Sequence, residues 1–530
     1  MANPSLRDIV SSAASGEWNI PEFQREFEWK PDQVVMLFNS LYRNLPIGLL
    51  LVWNTEKYNE PQQTTPTGRV PFWVIDGQQR IMSFCVMSGT KPNWLDNNEW
   101  DKIFQKNRIY LNVKEDGSAS VGKLLKKSPV SIAVDDLIHR EVTDVLKIIK
   151  EGCDGAGVED SAEACNYAAD FRQTLERVIP LEIIGDDKEI DDIADLYIRV
   201  NTRGTKLTQA QVMLAWVSQY NAGWVREKFY TFIEELEDKE GWRVDPTHVL
   251  QVAAIIAEGK ARVAQASKEL WRSGITQMWD RIRSGIEDVI LQLWERGVTG
   301  PEMVPSKYTL VALFSMAVKF QQVPGYDFNR LYNWFIKANL KGRYGEAPLE
   351  TLTSDGESIY KAQSMNEALS KFNEELTKED LKGLVNDKFA DNSSQALLMH
   401  IVLWSDSVTD WSEPYGLPTL TRAPRSLEPH WHHILPKAWG RRHGFENYNY
   451  TANVTRLCAR TNVHKLSYKP PWEYVPENNI AKEALLTHFI PENYAEKFFR
   501  GQVISPTEFN EFLRERGELL INKSAQLLGI

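Results

Sequence analysis

An α+β, multidomain fold is predicted by three kinds of pattern that follow one another along the chain. Short apolar runs broken by turns alternate with amphipathic segments through residues 1–206. Over 207–404 the apolar residues recur at intervals of three and four, the period of buried helix faces. Residues 405–530 open on a turn-rich stretch with several prolines, hold a His-rich basic segment and close on three further helical patterns. The boundaries 1–206, 207–404 and 405–530 make three domains, a reasonable number for a chain of 530 residues.

Taken in order, Pro31 is suited to the first turn of a helix whose apolar face is Val34, Val35, Phe38, Leu41 and Tyr42. The apolar run 47–53 then reads as a short buried strand. Ahead of the helix, residues 20–29 (IPEFQREFEW) set Gln24 and Arg25 among aromatic side chains. Residues 70–75 read as a second strand, followed by the turn Asp76-Gly77 and a helix that begins with Gln78, Gln79 and Arg80. A strand, a tight turn and a helix start turn the backbone N–H groups of 77–79 outward, a geometry that favours phosphate. Arg80 adds a forked cation, and Asp76 either closes the turn or holds a metal ion.

Residues 151–200 carry fourteen acidic and four basic side chains, read as a solvated face that would also keep polyanions away. Residues 198–208 (IRVNTRGTKLT) join two helices, with Thr208 and Gln211 forming a capping box and Asn201, Arg203 and Gly204 gathered in the turn. Helices are expected at 209–220, 224–236, 247–258, 275–294 and 308–320. Gly342-Arg343-Tyr344-Gly345 is a turn in which Arg343 or Tyr344 could touch nucleic acid, with a plain structural turn as the alternative.

Composition narrows the class. Four scattered cysteines argue against a disulfide framework and for a reducing cytoplasm. Neither an eighteen-residue apolar run nor a basic-then-apolar leader is present, so no membrane role is expected. The formal net charge is −11, yet residues 421–470 hold nine Lys/Arg against two acidic residues. Five of the nine histidines, His430, His432, His433, His443 and His464, fall between 429 and 470. Clustered imidazoles, nearby asparagines and a basic surround suit a metal site that handles a polyanion. A closed structural zinc site needs four Cys/His ligands at short paired spacings, and Cys458 is the only cysteine nearby.

Within this segment, His432-His433-Ile434-Leu435-Pro436 is followed by Asn453 before a short apolar run and by Asn462-Val463-His464-Lys465. Three blocks in this order resemble the HNH nuclease motif. The resemblance implies a ββα-metal unit around one divalent cation, with His433 as general base, His432 and Asn462 beside the metal, and Asn453 bracing the loop that carries the base. The chemistry agrees, since phosphodiester hydrolysis needs a base and a cation to neutralise growing charge. Mg²⁺ or Mn²⁺ is expected, and the imidazole of His432 also admits Ni²⁺ or Zn²⁺. Neighbouring residues on a straight strand face opposite ways, so the two rings should diverge unless the strand bends.

Together the blocks at 20–29, 76–80 and 198–208, with an HNH motif downstream, resemble GmrSD/SspE-type modification-dependent (type IV) restriction enzymes. That resemblance implies a ParB/sulfiredoxin-like nucleotide-binding domain over 1–206, in which Gln24, Arg25, Asp76, Gly77, Gln79, Arg80, Asn201 and Arg203 line a nucleoside triphosphate pocket, GTP favoured. It implies a helical bundle over 207–404 and an HNH nuclease domain with covering helices over 405–530. The expected protein is a cytoplasmic anti-phage endonuclease that cuts modified double-stranded DNA under nucleotide control. Homo-oligomerisation is left open. The alternatives are a nucleotide-dependent DNA-binding regulator with an inactive HNH domain, or an HNH-type RNase.

Overall fold

A computed structural model describes all residues except 1–2, 21–26, 56–71, 159–160, 189–192, 194–195, 197–208, 222, 373–374, 418–427 and 467. The fold is α+β and multidomain, with small sheets among many helices. The chain forms two compact units, Met1–Lys228 and Phe229–Ile530.

In the first unit the elements are α1 (Leu6–Ser15), β1 (Trp18–Asn19), α2 (Pro31–Tyr42), β2 (Leu50–Asn54), β3 (Phe72–Asp76) and α3 (Gln78–Ser88), then β4 (Tyr110–Val113), β5 (Ala119–Gly122), β6 (Val130–Ala133) and β7 (Leu181–Ile184). Ser5 and Asp8 start α1 with a capping box. Pro31 occupies the first turn of α2, where its missing N–H costs no helical bond. One sheet has the order β1-β3-β2-β7, with β2 antiparallel to β3 and the outer pairs parallel. A second, antiparallel sheet has the order β5-β4-β6. Val34, Phe38 and Leu41 of α2 and Ile81, Phe84 and Cys85 of α3 join Leu50, Val52 and Val74 in one core. Among the described residues of the notable sequence blocks, β3 and α3 lie where the pattern places them. The block at 198–208 lies outside the described residues.

The second unit is helical around one small hairpin. Helices Pro246–Glu258, Ile275–Glu295, Lys307–Phe320, Phe328–Leu340 and Pro348–Lys361 bury most of their apolar faces against one another. The segment expected as one helix over 224–236 begins as a π-helical turn, Val225–Tyr230, before the α-helix Thr231–Glu240. Arg343 takes no outward role: its guanidinium bonds both oxygens of buried Asp355 at 2.9 and 2.6 Å and also the Phe372 carbonyl. The Tyr344 hydroxyl donates to the same carboxylate at 2.6 Å. That turn is therefore structural, because a buried carboxylate is stable only when its oxygens are met by charge and hydrogen bonds.

After the helix Ser394–Ser405, strands β8 (Pro429–His433) and β9 (Val454–Cys458) pair antiparallel, His432 opposite Thr455 and His433 opposite Val454. A π-helical turn, Arg460–Leu466, follows β9. The last helix, Pro506–Leu528, supports this hairpin through Arg516, which is fully buried and donates to the carbonyls of Ala452 and His488. So small a unit cannot bury a core by itself, and the flanking helices supply the missing cover.

Candidate functional site

The hairpin places the two histidines by the alternation of a strand. Trp431 and His433 share one face, since Phe389 lies against both rings, at centroid distances of 4.9 and 6.2 Å. His432 points to the other face, among Trp411 and Tyr474 at 5.5 and 5.8 Å. No bend brings the two rings to one side.

Each ring is held by an asparagine. Asn449 donates through Nδ2 to the Phe389 carbonyl at 3.3 Å, which directs its Oδ1 to His433 Nε2 at 3.0 Å. The acceptor at Nε2 sets the tautomer: Nε2 carries the hydrogen, and Nδ1 keeps its lone pair. Among the described residues that Nδ1 has no hydrogen-bond partner. Burial, with Lys437 nearby, pushes His433 down to about 3, so the ring is neutral near pH 7.

On the other face Asn462 donates to the Trp431 carbonyl at 3.1 Å and turns its Oδ1 to His432 Nδ1 at 2.9 Å. His432 is 3% exposed, and its Nε2 is buried without a hydrogen-bond partner among the described residues. Burial lowers its pKa to about 4, against smaller raising effects from Asn462 and Asp410. One imidazole and one amide oxygen thus lie side by side. Among the described residues no group of three or more His, Cys, Asp or Glu surrounds a common point. This donor set does not fit a closed zinc centre. With Nδ1 of His432 held by Asn462 Oδ1 and the ring shut away from solvent, a cation would reach these donors only by displacing that hydrogen bond. Among the described residues Nε2 of His432 has no hydrogen-bond partner, and it lies on the side of the ring away from Asn462.

Asn453 holds the chain after the histidines. It is fully buried; its Oδ1 accepts from Leu435 N at 2.9 Å, and its Nδ2 donates to the carbonyls of Leu435 and Tyr448 at 2.9 and 2.7 Å. Its backbone carbonyl takes the Ile434 N–H at 2.8 Å. Two residues that the motif did not single out complete the frame. One is Asn449, described above. The other is Asp410, whose carboxylate accepts from Cys458 N, the Thr461 hydroxyl, Ser412 N and Glu413 N. Asp410 ties the end of β9 to the turn that carries Asn462. A lone Asp in a turn-rich stretch has no sequence signature for such a task. The tandem Asn449-Tyr450 beside Asn453 could have been noticed as a second amide near the histidines.

In the first unit, the structure brings Asp76, Gly77, Gln79 and Arg80 together at the junction of β3 and α3. Arg80 donates to Asp76 Oδ2 and to the Ile47 carbonyl, both at 3.0 Å. Gly77 has φ +103°, and a Cβ there would come within 2.2 Å of Leu50 Cδ2. Only glycine allows so close an approach of the turn to β2. Gln79 is turned toward the chain: its Oε1 accepts from the backbone N–H groups of Glu28 and Trp29, at 2.9 and 3.2 Å. It thereby anchors the segment that follows Gln24 and Arg25. Those two residues, with Asn201 and Arg203, lie outside the described residues.

Comparison with known proteins names a family for the N-terminal part of the chain. Residues 6–218 match the family model described as the GmrSD restriction endonuclease, N-terminal domain. This stretch includes Asp76, Gly77, Gln79 and Arg80 and ends before the hairpin. Over 597 aligned positions the chain is also 23% identical to an uncharacterized protein of Methanocaldococcus jannaschii, covering 99% of this chain and 98% of that one. Among the described residues no helix is long and apolar enough to cross a membrane.

Proposed function

We propose that the chain is a metal-dependent DNA endonuclease of the GmrSD type, in which an HNH hairpin cuts and a nucleotide-responsive N-terminal domain governs cutting. The observation that carries this reading is the pair of histidines on β8, each fixed by its own asparagine, in a chain whose residues 6–218 match a restriction-endonuclease domain. His433 is the general base: its Nδ1 lone pair takes a proton from the attacking water while Asn449 holds Nε2–H and the ring angle. The approach of a phosphodiester anion opposes the effect of burial and raises the basicity of the ring where it is needed. His432 and Asn462 would hold a divalent cation, Mg²⁺ or Mn²⁺ with Ni²⁺ or Zn²⁺ as substitutes, which supplies charge neutralisation at the phosphate. Asn453 keeps the backbone after His433 in place.

In the N-terminal part the proposed occupant is a nucleoside triphosphate, with GTP favoured, in a ParB/sulfiredoxin-like domain over 1–206. Asp76, Gly77 and Arg80 would form one wall, with Gln79 bracing the backbone at Glu28 and Trp29 beside it, and Gln24, Arg25, Asn201 and Arg203 would complete the pocket. Arg80→Ala is expected to weaken GTP binding at least about tenfold, the worth of a charge-assisted hydrogen bond to phosphate. Equilibrium binding and turnover of GTP measure this, and unchanged turnover in the variant would sink the pocket.

The reading as a whole is tested by cleavage of modified phage DNA and matched unmodified DNA, each with Mg²⁺ or Mn²⁺, with and without GTP, and with chelator. Chelator-sensitive cleavage that follows modification is the expected result. Equal cleavage of both DNAs would remove the modification sensor. Cleavage of RNA alone would make the enzyme a ribonuclease, and silence toward every nucleic acid would leave a binding regulator.

A further inference from the structure

Beside the hairpin, within the second unit, lies a cavity of about 750 Å³. Its size falls within the range of small-ligand sites, about 300–1,000 Å³. Pro429 and Trp431 of β8 form part of its wall. Trp431 shares its strand face with His433, two residues on, and two residues of strand span only about 7 Å. The cavity thus sits about one nucleotide's reach from the base proposed above.

Its wall has a definite chemistry. The Arg456 guanidinium lies 4.9 Å from the Trp431 ring centroid. The hydrogen-bond partners of Arg456 among the described residues are His400 Nδ1 and the Pro429 carbonyl, both neutral groups. His400 donates through Nε2 to the Gly297 carbonyl at 2.7 Å, which leaves its Nδ1 as an acceptor for arginine. Glu302, Glu428 and Lys239 also line the space, as does the amide of Asn392. Lys239 already pairs with Glu235 at 3.7 Å, so Arg456 is the lining cation left to balance Glu302 and Glu428, and the wall is not basic. A phosphate placed here would meet both carboxylates. An apolar ligand would desolvate these charges without pairing them. The group that matches is neutral, flat and polar, with N–H donors for the carboxylates and acceptors for the cation. The Arg456 guanidinium, laid over the Trp431 ring, supplies the flat contact.

We infer that this cavity receives one unstacked nucleobase of the strand that His433 cuts, together with any substituent that base carries. The inference rests on the proposed nuclease reading of the hairpin and names where that enzyme would read its substrate. Extruding a base costs stacking and pairing energy. Carboxylate and guanidinium contacts to base edges are the kind that recover such a cost and discriminate between bases.

The test uses the full chain and a series of duplexes, each with one abasic position at a successive distance from the mapped cut. Single-turnover cleavage is compared for the parent and for Glu428→Gln, which keeps shape and removes one carboxylate. At one fixed position loss of the base is expected to slow the parent at least about tenfold. Glu428→Gln should slow cleavage of the intact duplex by a similar factor and add nothing on that abasic duplex. Glu302→Gln provides a second variant should the first fail to fold. Uniform tolerance of abasic positions, or effects that simply multiply, would overturn the cavity assignment while the nuclease stands. Absence of cleavage of any nucleic acid by the parent would overturn the nuclease reading and this inference with it.

Discussion

Replacing His433 with alanine is expected to slow phosphodiester cleavage by about 10²–10⁴-fold, the usual worth of a positioned acid–base group. The fold should survive, because among the described residues the ring's side-chain hydrogen bond is the single one to Asn449. Asn449 itself stays anchored through its Nδ2 to the Phe389 carbonyl. The measurement is single-turnover cleavage alongside equilibrium binding of the same DNA. Binding retained with cleavage lost assigns His433 to chemistry. Cleavage retained at the parental rate would remove His433 as the base and with it the central residue of the proposed mechanism.

Asn453→Ala is expected to be the most damaging single change to the hairpin's stability. The amide satisfies Leu435 N, the Leu435 carbonyl and the Tyr448 carbonyl from a fully buried position. Alanine leaves these groups without partners, and each buried unmet group costs about 1–3 kcal/mol. A loss of about 3 kcal/mol or more should lower the unfolding temperature of the second unit by several degrees, since about 1 kcal/mol shifts a domain of 150–250 residues by about 2–4 °C. Trp411, Trp431, Trp439 and Trp472 lie in this region and report its unfolding by fluorescence. Cleavage should fall as well, because the freed backbone carries His433 on its preceding strand. An unfolding temperature equal to that of His433→Ala would show that the three hydrogen bonds contribute little.

The two changes separate two kinds of residue within one motif. His433 is half-buried and held by one side-chain hydrogen bond, and its removal disturbs chemistry first. Asn453 is sealed inside, and its removal disturbs geometry first. His432 and Asn462 combine the two properties. Their hydrogen bond already stabilises the turn after β9, so a cation placed between them must compete with an interaction that folding has made.

Local pattern was enough to place several of the elements. Pro31, the apolar face of α2, the strand β3 and the Asp76-Gly77 turn are set by backbone conformation and by short-range burial, which neighbouring residues determine. The same holds for β8 and the divergence of its two histidines, because side chains on a strand alternate whatever the tertiary context. Asn453 and Asn462 stood at recognisable spacings from those histidines. Tertiary structure decided what the spacing could not. It turned Gln79 inward to hold the backbone at Glu28 and Trp29, and it enclosed Arg343 with Asp355 where the turn alone left an outward role open. It recruited Asn449 to His433 and brought Asp410, 48 residues before Cys458, to the end of β9. It also collected Glu302, Glu428, Lys239 and Arg456 around one cavity. The reason is common to all of these: a polar side chain takes its partner from whatever packing brings within about 3 Å, and only the folded chain specifies that neighbour.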